Sequence, residues 1–223
     1  MRNITLSLSD LHRHGSAFFD YLALRKRFFV DTLGWSIPHD DQVEMDQYDN
    51  PTARYSLVLD EDGTVLSGAR ALPTTARWGE TSYMLRDAEM GRIGGIPSDL
   101  LQGESLTAGM WECTRLVIAP EVTTMADRIA CLGLICDGLV DMALEEGATE
   151  LVSLSNLWLL RALKRLGYDA DLMTAPYVNS EDGHKYAVMK MSARHPEVEA
   201  GRKIAAGPAE QLRPVLVHSA PRS

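Results

Sequence analysis

Three arginines and a run of acids are the residues of this chain whose types and spacing promise chemistry. Arg25 lies in Leu24-Arg-Lys-Arg-Phe-Phe-Val-Asp-Thr-Leu-Gly-Trp35, an apolar helical pattern, with Phe29 four and Trp35 ten residues after it. Arg70 and Arg115 fall inside strand-like patterns, Gly68-Ala-Arg-Ala-Leu-Pro-Thr74 and Trp111-Glu-Cys-Thr-Arg115. A guanidinium held within a sheet needs a carboxylate partner, because an unpaired charge taken out of water is costly. Glu44, Asp46 and Asp49, spaced E-x-D-x-x-D in an irregular stretch, supply candidates. Each residue also has an ordinary reading. Arg25 would snorkel from a core edge, Phe29 and Trp35 would be buried aromatics, and loop acids are usually solvated. Together they point to a cleft in which Arg25, Arg70 and Arg115 face Asp46, Asp49 and Glu112.

The elements that must position these residues follow from apolar spacing. Ser16 to Gly34 reads as a helix closed by glycine, and the acidic stretch from Pro38 to Pro51 as a long loop. Tyr55–Leu59 and Thr64–Leu72 flank Asp60-Glu-Asp-Gly63, a hairpin signature. Residues 74–110 are rich in turn-formers, with short helical pieces near Asp87 and Asp99. Met110–Ile118 reads as a strand ended by Pro120. Thr124 caps the longest helix, running through Glu146. Leu151–Leu154 is a strand, Trp158–Leu166 a helix stopped by Gly167, and Tyr168–Met173 and Lys185–Met191 are closing strands. This order predicts an α/β fold, a three-layer α/β/α sandwich around a mixed sheet. Residues 1–193 read as one domain and 194–223 as a loosely held tail, with at most a short helix around Val198 to Ala206.

Composition narrows the function classes. At 223 residues, with 45% hydrophobic and 24% charged side chains, the chain fits one large domain or two small ones and excludes fibrous or wholly disordered readings. A net charge of −9 argues against general nucleic-acid binding, which needs cationic surface. Cys113, Cys131 and Cys136 form no CxxC pair, so neither a disulfide framework nor a zinc site is expected, and no histidine shows metal-ligand spacing. No signal-peptide core follows the N-terminus and no apolar run is long enough to span a bilayer, so a cytoplasmic protein is expected.

Read in order, the three blocks around Arg25–Asp49, Gly68–Thr74 and Glu112–Arg115 resemble the acyl-homoserine-lactone synthases, the LuxI-type autoinducer synthases. These have a fold related to GNAT acetyltransferases, so the resemblance implies a GNAT-like sandwich with a mostly antiparallel sheet. It spans about Leu24 to Leu172 and is carried by E-x-D-x-x-D, by a motif similar to G-x-x-R-L-L-P-T, and by E-x-x-R. One departure stands out: Met84-Leu-Arg-Asp-Ala-Glu89 places a glutamate where the family commonly has a phenylalanine.

The resemblance implies S-adenosylmethionine as acceptor substrate, with no cofactor and no metal. That molecule carries a carboxylate, an amine and a sulfonium, and so suits a pocket of both signs. Arginine forks would hold its carboxylate, acids its cationic groups, and Phe29 and Trp35 its adenosyl part. Arg70, Arg115, Asp46 and Asp49 are the expected catalytic cluster. The α-amine is largely protonated at neutral pH, so Glu112 is the expected general base as the amine attacks an acyl thioester. Backbone N–H groups near Arg115 to Ile118 would hold the oxyanion.

The expected donor is an acylated carrier protein or acyl-CoA. The junction Ile118 to Arg128 lacks the glycine-rich turn with which GNAT enzymes hold a pyrophosphate, which favours the carrier. Arg161, Lys164 and Arg165, at i, i+3 and i+4, offer a basic docking face for that acidic partner, although a merely solvated face has the same spacing. Leu116, Ile118, Leu134, Met142, Val152, Leu154 and Leu157 are the candidate acyl-tunnel lining, or equally plain core. Ser153 lies near the position that relatives use to sense a 3-oxo group. Two other functions compete: a GNAT-type acyltransferase or thioester hydrolase with another acceptor, and a catalytically silent ligand-binding paralogue.

Overall fold

The hairpin and the strand that follows it form the middle of an eight-stranded sheet. In the computed structural model, which describes residues 1–197, β1 (Arg2–Ser7), β2 (Arg54–Leu59), β3 (Val65–Pro73), β4 (Met110–Ile118) and β5 (Glu150–Asn156) lie side by side in that order. Beyond β5 come β8 (Lys185–Ser192) and then β6 (Ala170–Leu172), with β7 (Tyr177–Val178) also paired to β8. Every pairing is antiparallel except β4 with β5. The sheet is therefore mixed and mostly antiparallel, as expected. β1 was not anticipated from the sequence. It is an edge strand whose residues alternate only weakly in burial, so it carries little periodic signal.

Strand alternation assigns the faces. α1 (Ala17–Arg25) and α2 (Met84–Glu89) cover one face, and α3 (Met125–Glu145) and α4 (Leu157–Leu166) cover the other, giving the three-layer sandwich. Close approach of α1 to the sheet depends on Gly68. A Cβ there would stand 2.8 Å from two ring carbons of Tyr21, so a side chain at Gly68 would push the helix off the sheet. On the opposite face Ser56 donates its hydroxyl to the Ile135 carbonyl of α3, at 3.0 Å. Thr124 caps α3 as its sequence position predicts, accepting the Asp127 N–H at 3.1 Å.

Two irregularities prepare the site. The helix expected over Ser16–Gly34 is α-helical only to Arg25 and continues as a π-helix over Lys26–Thr32. A wider turn leaves the apolar spacing nearly unchanged, so the sequence did not distinguish it. In the sheet, β4 and β5 pair only over Met110–Glu112 and Glu150–Val152 and then diverge. The register between β3 and β4 shifts past Gly68, and Arg115 takes a φ of +56°, unusual for a residue with a side chain. Tyr21 fixes this distortion by donating its hydroxyl to the Arg115 carbonyl at 2.8 Å. The expected tail is described only as far as Glu197, and the short helix anticipated around Val198 to Ala206 lies outside the described residues.

Candidate active site

The three arginines do converge, on the α1 face of the sheet. Arg25, from the end of α1, is fully buried. It donates Nε to Glu44 Oε2 at 2.6 Å and both Nη atoms to the two oxygens of Asp49, at 2.8 and 2.9 Å. Arg70, from β3, is equally buried and forks onto Asp46 through Nη1 at 2.5 Å and Nη2 at 3.2 Å. Its Nε reaches the Thr114 hydroxyl at 3.1 Å, and Nη1 also lies 3.0 Å from Asp49. Arg115 completes the ring through Nε to Glu44 at 3.2 Å and Nη2 to Asp46 at 2.8 Å. Three guanidiniums thus meet three carboxylates. The third acid is Glu44, not Glu112 as the sequence suggested.

The two aspartates stay ionised. Burial alone would raise the Asp46 carboxyl, but Arg70 and Arg115 outweigh it and hold it below the usual range. Arg70 and Arg25 do the same for Asp49 against its own burial, helped by the hydrogen bond from Arg25. Tyr55 adds a hydroxyl to Asp49 at 3.0 Å, and the loop closes on itself through the Asp46 N–H to Asp49 at 2.9 Å. The forks of Arg25 and Arg70 are spent inside the cluster. Arg115 differs. Its side chain keeps 10% exposure, and no hydrogen bond among the described residues uses its Nη1.

Glu112 lies on the same face but apart from the ring and enclosed, a correction to the expected cleft-side position. Its two oxygens accept the N–H groups of Met84 and Leu85, both at 2.7 Å, so it anchors the start of α2. Burial pushes its pKa up to about 7 in spite of these two bonds. Asp87 of α2 is also buried. It accepts the Ser82 hydroxyl at 2.8 Å and the Tyr48 hydroxyl at 3.1 Å, and the Tyr48 ring lies 5.5 Å from the Arg70 guanidinium. Glu89, on the outward side of α2, pairs with Arg86 in solvent.

An aromatic wall borders the ring of charges. Phe29 stacks on Trp35 with centroids 5.0 Å apart and an interplanar angle of 23°, and the Arg115 guanidinium stands 5.5 Å from the Phe29 ring. The π-helix puts Phe29 beside Arg115, and the chain after it lays Trp35 on Phe29. Tyr21, Tyr48, Tyr55 and Asp182, the last of which accepts the Trp35 indole N–H at 3.0 Å, all serve this region. None was marked by sequence spacing, because they come from separate elements and carry no common motif.

Across the sheet, where β4 and β5 diverge, lies an almost wholly apolar cavity of about 50 Å³. Of the residues named above for the acyl group, Leu116, Val152 and Ser153 line it, together with Cys113, Cys136, Leu159 and Leu163. Met142 does not. It is buried on α3 beyond Leu139, toward the end where β4 and β5 remain paired and leave no gap. Ile118, Leu134, Leu154 and Leu157 are likewise absent from the lining, and Leu154 packs instead against the cluster of Tyr83, Leu85 and Val188 as well as the main core. Ser153 bonds Ser155 at 2.9 Å. Burial pushes the Cys136 thiol up to about 12 and Cys113 higher, so both behave as small apolar groups here. On α4, Arg161, Lys164 and Arg165 share an exposed face, with Lys164 paired to Asp171 at 2.8 Å.

Known proteins resemble this chain in sequence and in fold. The family model described as autoinducer synthase matches residues 10–199. An acyl-homoserine-lactone synthase from Rhizobium etli is 31% identical over 169 residues, covering 75% of this chain and 74% of its own length. A crystal structure of TofI in a ternary complex with an inhibitor and MTA superposes with a TM-score of 0.68 at 26% identity, covering 86% of this chain and 92% of that one. A putative N-acetyltransferase from Lactobacillus plantarum shares the fold at a TM-score of 0.51 and 14% identity, over 87% of this chain and all of that one. With a match across most of its length and its ring of arginines and acids in place, this chain belongs to the autoinducer synthase family.

Proposed function

We propose that this protein is an acyl-homoserine-lactone synthase that takes S-adenosylmethionine as acceptor and an acyl thioester as donor. The observation that carries this reading is the placement of a charged cluster and an apolar cavity on opposite faces of one sheet. A ring of three arginines and three acids beside stacked aromatics lies on the α1 face, and an apolar cavity on the α3 face. The divergence of β4 and β5 past Glu112 is where an amine on one side reaches a thioester carbonyl on the other.

On this reading Arg115, the least enclosed arginine of the ring, meets the acceptor's carboxylate, and Asp46 balances its positive groups. Trp35 and Phe29 wall the adenosyl part. The amine lone pair attacks the carbonyl carbon, the carbonyl electrons move to oxygen, and the amine proton passes to Glu112 through intervening water. A carboxylate with affinity near neutrality suits that transfer. Collapse of the tetrahedral intermediate breaks the carbon–sulfur bond, and the proton returns to the departing thiolate. β4 N–H groups that no longer face a paired β5 serve the oxyanion. The acceptor's carboxylate oxygen then attacks its own γ-carbon and the carbon–sulfonium bond breaks, giving the lactone and methylthioadenosine. Holding nucleophile and carbon in line supplies an effective molarity of about 10⁵ M or more.

The glycine-free turn after β4 supports a carrier-bound donor, and the three free cysteines fit a cytoplasmic setting. The test is mass spectrometry of purified protein incubated with S-adenosylmethionine and acylated carrier protein or acyl-CoA. Equimolar acyl-homoserine lactone and methylthioadenosine are expected. An acylated amine of another kind, free fatty acid, or no turnover would each reject the assignment.

A further inference from the structure

Beyond the motif residues, the turn between β7 and β8 reaches the aromatic wall through one side chain. Asp182 Oδ2 accepts the Trp35 indole N–H at 3.0 Å and the Tyr186 hydroxyl at 2.7 Å, while Oδ1 accepts the His184 N–H at 2.9 Å. The ring of Tyr186 lies 6.2 Å from Trp35 and 6.4 Å from Tyr177. Trp35 follows Gly34, whose φ is +72°, and its own N–H is bonded to Phe29 O at 3.0 Å. The backbone there is set, and the partly buried indole stacks on Phe29 by one face, which leaves its N–H edge to be held by a polar partner. Asp182 is 147 residues away in sequence and supplies that hold.

We propose that Asp182 is a positioning residue for the acceptor site: it locks the Trp35 indole flat against Phe29, so that the wall is formed before the adenosyl group arrives. This rests on the reading of Trp35 and Phe29 as that wall. The carboxylate touches no reacting atom, and its effect passes through Trp35. Pre-forming the wall spares the acceptor the ordering of a large side chain on binding, so the consequence falls on acceptor affinity and not on the chemical step. The turn itself is tied to the sheet by the short β7–β8 pairing, Tyr177 with Tyr186 and Val178 with Lys185. Acceptor affinity is thereby linked to a hairpin that carries none of the family motifs.

A double-mutant cycle tests this, using Asp182→Ala, Trp35→Phe and the pair in the full chain. Asp182→Ala is expected to raise KM for S-adenosylmethionine about tenfold, the scale of one lost charge-assisted hydrogen bond. It should leave kcat and the KM for the acyl donor within about twofold. In the Trp35→Phe background, which has no indole N–H, removal of Asp182 should have little further effect. Asp182→Asn keeps an acceptor and should restore most of the affinity. Additive losses, or equal losses for both substrates, would overturn the proposal. If no lactone is formed at all, the functional reading fails, and the link is then read independently from the indole N–H resonance assigned through Trp35→Phe. That signal should shift in Asp182→Ala and recover in Asp182→Asn. An unmoved resonance overturns the link itself.

Discussion

Glu112, Asp46 and Asp49 are buried in the same face of the protein, and burial raises all three carboxyls, but only the two aspartates have arginines that outweigh it. Asp46 and Asp49 face arginines and remain charged below the usual carboxylate range, so the stability they contribute is present above about pH 4 and lost as pH falls below it. Burial dominates at Glu112, where two peptide N–H groups and the more distant Arg70 do not offset it, and its pKa rises from 4.5 to about 7. The folded state binds a proton there that the unfolded chain has already released. Stability therefore falls as pH rises from about 4.5 to 7, by roughly 3 kcal/mol at about 1.4 per unit. Urea denaturation at pH 5 and pH 7.5 should show this loss in the wild type and not in Glu112→Gln, which has no titrating group; parallel behaviour would mean that Glu112 keeps an ordinary affinity. The same substitution should lower kcat by about 10² or more, while wild-type kcat rises with pH through about 7, both followed by methylthioadenosine release. Arg25 and Arg115 separate structure from binding. Arg25→Ala removes the two-point partner of Asp49 and the nearest partner of Glu44, leaving Asp49 to Arg70 and Glu44 to Arg115 with excess buried negative charge, and should cost about 3 kcal/mol in denaturation. Arg115→Ala removes a partly exposed group and should cost less stability but more acceptor affinity, measured as KM for S-adenosylmethionine.

At the scale of elements, the departure of β5 from β4 opens the room that α3 and α4 then cover with Cys136, Leu159 and Leu163. Filling that room should block the donor alone. Cys136→Leu adds bulk to a cavity of about 50 Å³, so turnover with long acyl donors should drop at least tenfold while S-adenosylmethionine binding by calorimetry stays unchanged. Loss of both affinities would place the cavity outside the donor path. This gap illustrates what a single sequence conceals. The hairpin, β4, α3 and its Thr124 cap were readable because apolar period and cap chemistry are local. The gap was not, since it depends on where pairing stops between strands separated by a 21-residue helix. The pairing of Arg70 and Arg115 with loop acids was readable, because a guanidinium within a sheet demands a counter-charge. The turn of Glu112 toward Met84 and Leu85 was not, because its partners are backbone groups 28 and 27 residues away that have no sequence signature. The π-helix escaped for the opposite reason, having nearly the apolar spacing of the helix it extends.

For the molecule as a whole, a charge of −9 makes the approach of an acidic carrier protein unfavourable except where cations gather. α4 presents such a place. Its inner residues Leu159 and Leu163 line the apolar cavity, while Arg161, Lys164 and Arg165 face outward, so a partner on the outer surface is one helix away from that cavity. The pair of Lys164 with Asp171 is solvent-exposed and therefore weak and readily exchanged for a pair with a partner. We propose this face as the docking surface. Reversing two charges, Arg161→Glu with Lys164→Glu, should lower kcat/KM for a carrier-bound acyl group by tenfold or more, chiefly through slower association. Wild-type turnover with that donor should itself decline between 50 and 300 mM salt, since exposed charges are screened over roughly 10 Å at 0.1 M. The variant should lose most of this salt dependence. A small acyl thioester without the carrier should be used equally well by both proteins, and KM for S-adenosylmethionine should not change. Equal carrier-dependent rates in the two proteins at low salt would move the docking surface elsewhere and leave α4 as an ordinary solvated helix.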